Sequence, residues 1–312
     1  YDYKSNPDCK TYLSIANGKF ENQSLVRRYR IIVPFIAKTI SLPIEKVYAK
    51  LWPNRDKTDF GALRLGFLIV NLILMSLVGL ATFYLAKAYN LSNIISLLIA
   101  VILLTGGRWA SIFTGAPLTD SLYLLIITCT LYSVKTNNHK LLIPVLILGV
   151  LSKESFLLLI PYIFIFSNFN KLKMIFYTLI GVGLMFLVRY YIDSLTTNTT
   201  LYASMEEDAN HIYNIKESVL RILNFRGIGE LFTVFGIFSF IYFIGFIGGV
   251  KNIYSWSKKV DLKIWIMLPI AFIHALLSTE IARMIYLFSA PLLIIMGLIL
   301  QNHKFFNKIS SI

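Results

Sequence analysis

From Leu65 to Ala86 the chain reads LGFLIVNLILMSLVGLATFYLA, without one charged residue. A helix rises about 1.5 Å per residue, so a run of this length reaches across the roughly 30 Å of hydrocarbon in a bilayer. Hydrocarbon offers the backbone no water to bond, which leaves helices or closed barrels as spanning forms. An unbroken apolar run of this length, rather than a short alternating one, selects the helix. Counted as 65–89, this run is followed by others at 94–105, 121–134, 141–152, 155–167, 174–192, 229–250, 263–278 and 283–300. The expected fold is therefore all-α: a polytopic transmembrane helical bundle of about nine spans. The runs 94–105, 141–152 and 155–167 are short enough to be half-crossing segments as well.

Composition supports an integral membrane protein, since 56% hydrophobic and 15% charged residues over 312 positions exclude an ordinary soluble domain. The net charge of +14 invites a nucleic-acid reading, but long uncharged runs with 23 Phe and 18 Tyr make a polyanion-binding surface the poorer use of it. No nucleic-acid partner is expected. Cys9 and Cys129 lie far apart in different surroundings, so neither a disulfide framework nor a metal knuckle is read from them. The chain opens on Tyr1 rather than Met, and we expect a processed or partial chain from which a first hydrophobic helix is missing.

Residues 1–64 read differently from 65–312. The stretch QSLVRRYRIIVPFIAKTI (23–40) mixes Arg27, Arg28, Arg30 and Lys38 with Leu25, Val26, Ile31, Ile32 and Phe35, the make-up of a helix lying in the membrane interface. A second amphipathic stretch, 42–52, follows a Ser-Leu-Pro break and ends at Pro53. We expect 1–64 to form an N-terminal extracytoplasmic loop with interface helices and 65–312 the transmembrane domain, with a long outer loop at 193–228.

Orientation follows from the short loops. Lys87, Lys135, Lys140, Lys171, Lys173, Lys251, Lys258, Lys259, Lys263, Lys304 and Lys308 fall in alternate connections, accompanied there by Asp261. The positive-inside rule makes those connections cytoplasmic, although the opening segment is itself rich in basic residues. Nearly every membrane-edge acid and arginine then falls on the other side: Asp2, Asp8, Arg27, Arg28, Arg30, Arg108, Asp120, Lys153, Glu154, Arg189, Asp193, Glu280 and Arg283. Asn22 and Asn198 sit in N-x-S/T sequons on that side.

Each residue also has a plainer reading. Arg108 and Arg189 fit side chains snorkelling to headgroups. Glu280 and Arg283, three apart, fit a helix-surface pair as well as a pair facing a cavity, and His274 fits a packed, hydrogen-bonded histidine. Lys153 and Glu154 are harder to dismiss, because ionisable neighbours between two apolar runs are expensive unless they face a polar cavity. Acids beside arginines and a lysine at an apolar wall suit one chemistry: a carboxylate takes a proton from an acceptor while the cations hold a phosphate leaving group. A lipid-linked phosphate meets both at the membrane edge. Asp8, Asp120 and Glu154 also offer hard oxygen ligands to a divalent cation, without any metal-ligand spacing; no metal site is assigned.

DCKTYLSIANG, RRYRIIVPFIAK, GAPLTDSLYLLI, LSKESFLLLIPY and EIARMIYLFSAPLLII together resemble, in order along the chain, the GT-C superfamily of membrane glycosyltransferases that use polyprenyl-phosphate sugars. The resemblance implies sugar transfer at the extracytoplasmic face of a bacterial inner or plasma membrane, from a polyprenyl-phosphate donor to a glycan or lipid acceptor, with inversion and an Asp general base. It implies Asp8 as that base, with Asp2 as second choice, and Asp120 as the outer-face acid before a helix. Donor phosphate would be met by Lys153, Arg283, Arg108 and Arg30, with Tyr12, Glu154 and Glu280 in support. The chain departs from the superfamily in being small and in showing no first helix and no large C-terminal soluble domain. Two other classes compete: a transporter or flippase for a lipid or small solute, and a non-catalytic membrane subunit. A transporter spreads ionisable groups along a path through the bilayer, whereas here they collect at one rim.

Overall fold

The computed structural model describes residues 6–52, 60–196, 215–278 and 280–309, and these are helical without a strand among them. Asp2, Asn198 and half of the 193–228 segment, 197–214, lie outside the described residues.

The first helix, Pro7–Ala16, begins where its sequence directs. Asn6 Oδ1 accepts hydrogen bonds from the backbone nitrogens of Asp8 (2.8 Å) and Cys9 (3.4 Å), and Pro7 fills a first-turn position that requires no donor. Asp8 stands in the first turn, where the helix end favours negative charge. The helix buries Cys9, Tyr12, Leu13 and Ile15. Burial, reinforced by Asp8, pushes the Cys9 thiol up to about 12, leaving it a packing group rather than a nucleophile.

The expected break before Pro43 is absent. Leu25–Arg28 forms one short turn, and Ile32–Leu51 is a single helix with Pro43 inside it. Proline removes one backbone donor at about 3 kcal/mol in a helix interior. Side chains bridge the weak point: Ser41 Oγ donates to Lys38 O at 2.8 Å, and the Lys38 ammonium meets Glu45 at 2.6 Å from the opposite side of the proline. Val33, Ala37 and Ser41 face the next long helix, Gly61–Ala88, while Phe35, Leu42, Val47 and Leu51 are exposed. The two helices approach closely at Gly66, where a Cβ would collide with the Ala37 carbonyl.

Among the described residues, two helices are long and apolar enough to cross a membrane unbroken, Gly61–Ala88 and Lys171–Ser194; the number is five when each of three bent pairs counts as one span. The remaining expected spans take shorter forms. Asp120–Thr136, at 17 residues, covers about 25 Å, and His139–Ser152, Glu154–Phe166 and Leu262–Leu276 are shorter apolar helices. The bends have local causes. Asn93–Thr105 and Arg108–Gly115 meet at 67° across Gly106–Gly107, where a Cβ on Gly107 would enter the backbone at Thr233–Val234. Ile281–Leu287 and Ser289–Asn302 meet at 71°; Pro291 cannot donate to the Leu287 carbonyl, and the chain turns between them. Gly236–Phe246 and Val250–Ser257 fold back at 118° through Gly248 and Gly249, both at positive φ.

The loop before Asp120 is fixed from beneath. Asn71, fully buried, donates to the carbonyls of Ala116 (3.0 Å) and Leu118 (3.2 Å) and accepts from Ser121 Oγ at 2.5 Å. A buried amide satisfied on both its nitrogen and its oxygen holds one geometry rather than several. Tyr286 adds a 2.6 Å bond to the Leu103 carbonyl, tying the helix that carries Arg283 to the same core.

Candidate functional site

Asp8 and Tyr12 stand one turn apart on the same face of the first helix. Arg27 and Arg30, three apart across the tight turn at 25–31, meet them in register: Arg27 Nη2 lies 2.8 Å from Asp8 Oδ1, and Arg30 Nη1 donates to Tyr12 Oη at 3.2 Å. Tyr12 therefore positions Arg30. The other oxygen of Asp8, Oδ2, takes a 2.7 Å bond from Arg283 Nη1. The same Nη1 reaches Glu280 Oε2 at 2.5 Å, and Nη2 of Arg283 is bound to Asp120 Oδ2. One guanidinium thus joins three carboxylates that are far apart in sequence. Asp120 Oδ1 in turn faces Lys153 Nζ at 3.7 Å. The centre is dry: side-chain exposure is 1% for Asp120, 6% for Arg283, 8% for Asp8 and 11% for Lys153.

Lys153 reaches the centre because it leaves the helix. Its backbone is extended (φ −164°, ψ 130°) between His139–Ser152 and the 3₁₀ turn Glu154–Leu159. Neighbours in extended backbone point opposite ways. Lys153 turns to Asp120, while Glu154 turns away to bind Arg189, so the two do not form the pair that adjacency suggests. Beside Lys153 stands Tyr123, whose ring is 5.3 Å from the ammonium. Its hydroxyl accepts from Ser155 Oγ at 3.2 Å and lies 3.3 Å from His274 Nε2. His274 Nδ1 faces the Ile270 carbonyl at 3.0 Å, and Nε2 faces the Ser155 carbonyl at 3.1 Å as well as the Tyr123 hydroxyl, so both ring nitrogens have partners. His274 packs on Phe288 and holds the wall behind Lys153.

A second group joins the same rim. Tyr29 Oη donates to Asp193 at 2.8 Å, Arg28 approaches that carboxylate at 3.8 Å, and the Arg189 guanidinium lies 4.9 Å over the Tyr29 ring. Burial and the bond to Asp193 push the Tyr29 phenol up to about 12. Arg30 stays charged although burial opposes it, because Tyr12, Asp120 and Glu154 outweigh the loss of water. A small cleft opens between these groups, lined by Tyr29, Arg30, Lys153 and Glu154 and by the apolar Val150, Leu151, Met185 and Val188. Its wall combines two cations and an acid with apolar side chains.

Arg28, Arg30, Arg189 and Arg283 each keep a buried Nε without a hydrogen-bond partner among the described residues. Each unsatisfied buried donor costs about 1–3 kcal/mol. Among the described residues no group of His, Cys, Asp and Glu is arranged to hold a metal ion.

Of the residues singled out from sequence, Asp8, Asp120, Lys153, Arg283, Arg30, Tyr12 and Glu280 are linked in one network, with Glu154 at its edge. Arg108 makes no hydrogen bond or ion pair with it. The Gly106–Gly107 bend pins the Arg108 backbone nitrogen to the Thr233 carbonyl (3.2 Å), and its exposed guanidinium lies over Trp109. Arg27 and Tyr123 were not assigned to the site from sequence. Arg27 stood among three arginines with nothing to rank it, and Tyr123 is one aromatic in an apolar run; only the helix crossings identify them. No family model, no curated protein and no solved structure matches the chain.

Proposed function

We propose that this chain transfers a sugar from a polyprenyl-phosphate donor to a glycan or lipid acceptor at the extracytoplasmic edge of a membrane. The observation that carries the reading is the buried network of Asp8, Arg283, Asp120 and Lys153 beside a cleft lined by Arg30 and Lys153 together with Val150, Leu151, Met185 and Val188. Cations beside apolar side chains suit the phosphate and first methylenes of an amphiphile. Asp8 takes the proton of the acceptor hydroxyl as its oxygen attacks the anomeric carbon, and the sugar–phosphate bond breaks on the opposite face. The configuration inverts. Charge growing on the leaving phosphate is met by Lys153, Arg30 and Arg283. In this reading all of the expected apolar runs lie in the bilayer, about nine in number with several bent or half-crossing, and the exposed apolar residues of Ile32–Leu51 rest on the interface.

The test is Asp8→Asn in the full chain, assayed for sugar transfer. The amide keeps size and one of the two acceptor oxygens but cannot take the proton, and a general base is typically worth about 10²–10⁴-fold in rate. Turnover should fall by that order with donor affinity and stability near the parent, since Arg283 keeps Asp120 and Glu280 as partners. Near-normal turnover in Asp8→Asn would remove Asp8 as the base.

A further inference from the structure

Building on the proposed function, we infer that Arg283 is a clamp on Asp8 that the donor phosphate lifts, and that Arg27 is the positioning residue that keeps Asp8 in place when the clamp opens. Asp8 has both oxygens engaged, Oδ1 by Arg27 at 2.8 Å and Oδ2 by Arg283 at 2.7 Å. Each oxygen keeps a further lone pair, but Asp8 is 8% exposed and hemmed in by the two guanidinium groups, so an acceptor hydroxyl reaches a carboxylate oxygen only when one of them moves.

The two arginines are not equivalent. Arg27 is one-third exposed and, apart from Asp8, forms no other ion pair among the described residues. Arg283 is buried and over-committed: Nη1 is divided between Asp8 and Glu280, Nη2 is bound to Asp120, and Nε has no partner. A guanidinium with a crowded corner and an idle donor is poised to turn toward a new anion. The anion's entry point is next to it, because Lys153 both lines the cleft and faces Asp120 Oδ1, with Met284 Sδ, from the residue after Arg283, 3.7 Å from its ammonium. A phosphate that takes Lys153 removes one of the two cations on Asp120. Arg283 then moves toward Asp120 or toward the phosphate, and either shift releases Asp8 Oδ2. Arg27 stays on Oδ1. Donor occupancy therefore arms the base, and the acceptor is deprotonated only after donor has bound.

The test reads Asp8 directly. The full chain in lipid nanodiscs is treated with a water-soluble carbodiimide and glycinamide, with and without a sugar-free polyprenyl phosphate, and amide formation at Asp8 is followed by peptide mass spectrometry. Binding of the lipid is measured separately by intrinsic fluorescence. Modification of Asp8 should rise several-fold with lipid in the parent, and should be high without lipid in Arg283→Lys, whose single ammonium cannot span the three carboxylates. Arg27→Gln should lower kcat with donor KM unchanged, and Arg27→Lys should recover part of the loss. Lipid that binds while Asp8 modification stays flat or falls overturns the clamp, and unchanged kcat in Arg27→Gln overturns the positioning role; both outcomes leave the proposed function standing. Lipid that fails to bind removes the proposed function, and the inference with it.

Discussion

Lys153 rests among three unlike neighbours, the Asp120 carboxylate at 3.7 Å, the Tyr123 ring at 5.3 Å and the Met284 sulfur at 3.7 Å. None of these is a short charge-assisted bond, so the ammonium retains donors for a ligand. Lys153→Met removes the charge and keeps a stem of similar length. A hydrogen bond to a charged group is worth about 1.5–3 kcal/mol, so affinity for polyprenyl phosphate should fall roughly tenfold to a hundredfold in a fluorescence titration. Unchanged affinity would return Lys153 to a structural partner of Asp120. At this scale Asp120, Lys153 and Arg283 were legible in the sequence as ionisable residues at the margins of apolar runs, where a charge needs a reason, whereas Asp8 was singled out by the resemblance. Their pairing was not legible. Lys153 and Glu154 look like a pair in one dimension, and the extended backbone at Lys153 sends them to different partners. Arg108 looks like its fellow arginines until the diglycine bend turns it away.

Helix existence was readable and helix continuity was not. Pro43 reads as a break and Pro291 as an interior residue, yet the first is bridged by Lys38 and Glu45 while the second coincides with a 71° turn. The difference lies in what surrounds each proline, and that depends on tertiary contacts. One joint between elements offers a clean test. Asp261 caps Leu262–Leu276 by accepting from Lys263 N at 3.1 Å, and its other oxygen meets Lys135 at 2.9 Å, tying that helix to the end of Asp120–Thr136. Partial burial works against the ionised carboxylate, but the bonds from Lys135 and Lys263 outweigh it and hold its pKa below the ordinary carboxylate value. A lowered folded pKa gives stability that is present above the unfolded value, about 3.9, and is lost as pH falls through the folded one. Asp261→Asn retains the cap and loses the ion pair. Its unfolding midpoint in detergent should lie slightly below the parent's near neutral pH and converge with it below about pH 4. A constant gap across that range would show that the pair does not set the pH dependence.

Across the whole molecule, charge type is divided between the two ends of the bundle. Asp120 opens its helix inside the network of Asp8, Lys153 and Arg283, and Lys135 closes the same helix beside Asp261 and Lys263, about 22 Å along the axis. The lysine end continues through Lys263, which donates to the Val134 carbonyl at 3.0 Å. Two of the lysine-bearing connections, at Lys135 and Lys263, thus share one end of the bundle, and the Asp120 network lies at the other. A bilayer that obeys the positive-inside rule places the lysine face in the cytoplasm. In a parent with Cys9 and Cys129 replaced by Ser, single cysteines at Lys19 and Thr136, both exposed, report the two faces. An impermeant maleimide added to intact cells should label the cysteine at 19 and leave the one at 136 unlabelled until the membrane is permeabilised. The opposite pattern would place Asp8 and the cleft in the cytoplasm, where a donor phosphate presented at the outer leaflet cannot reach Lys153, and the proposed reaction would lose its substrate.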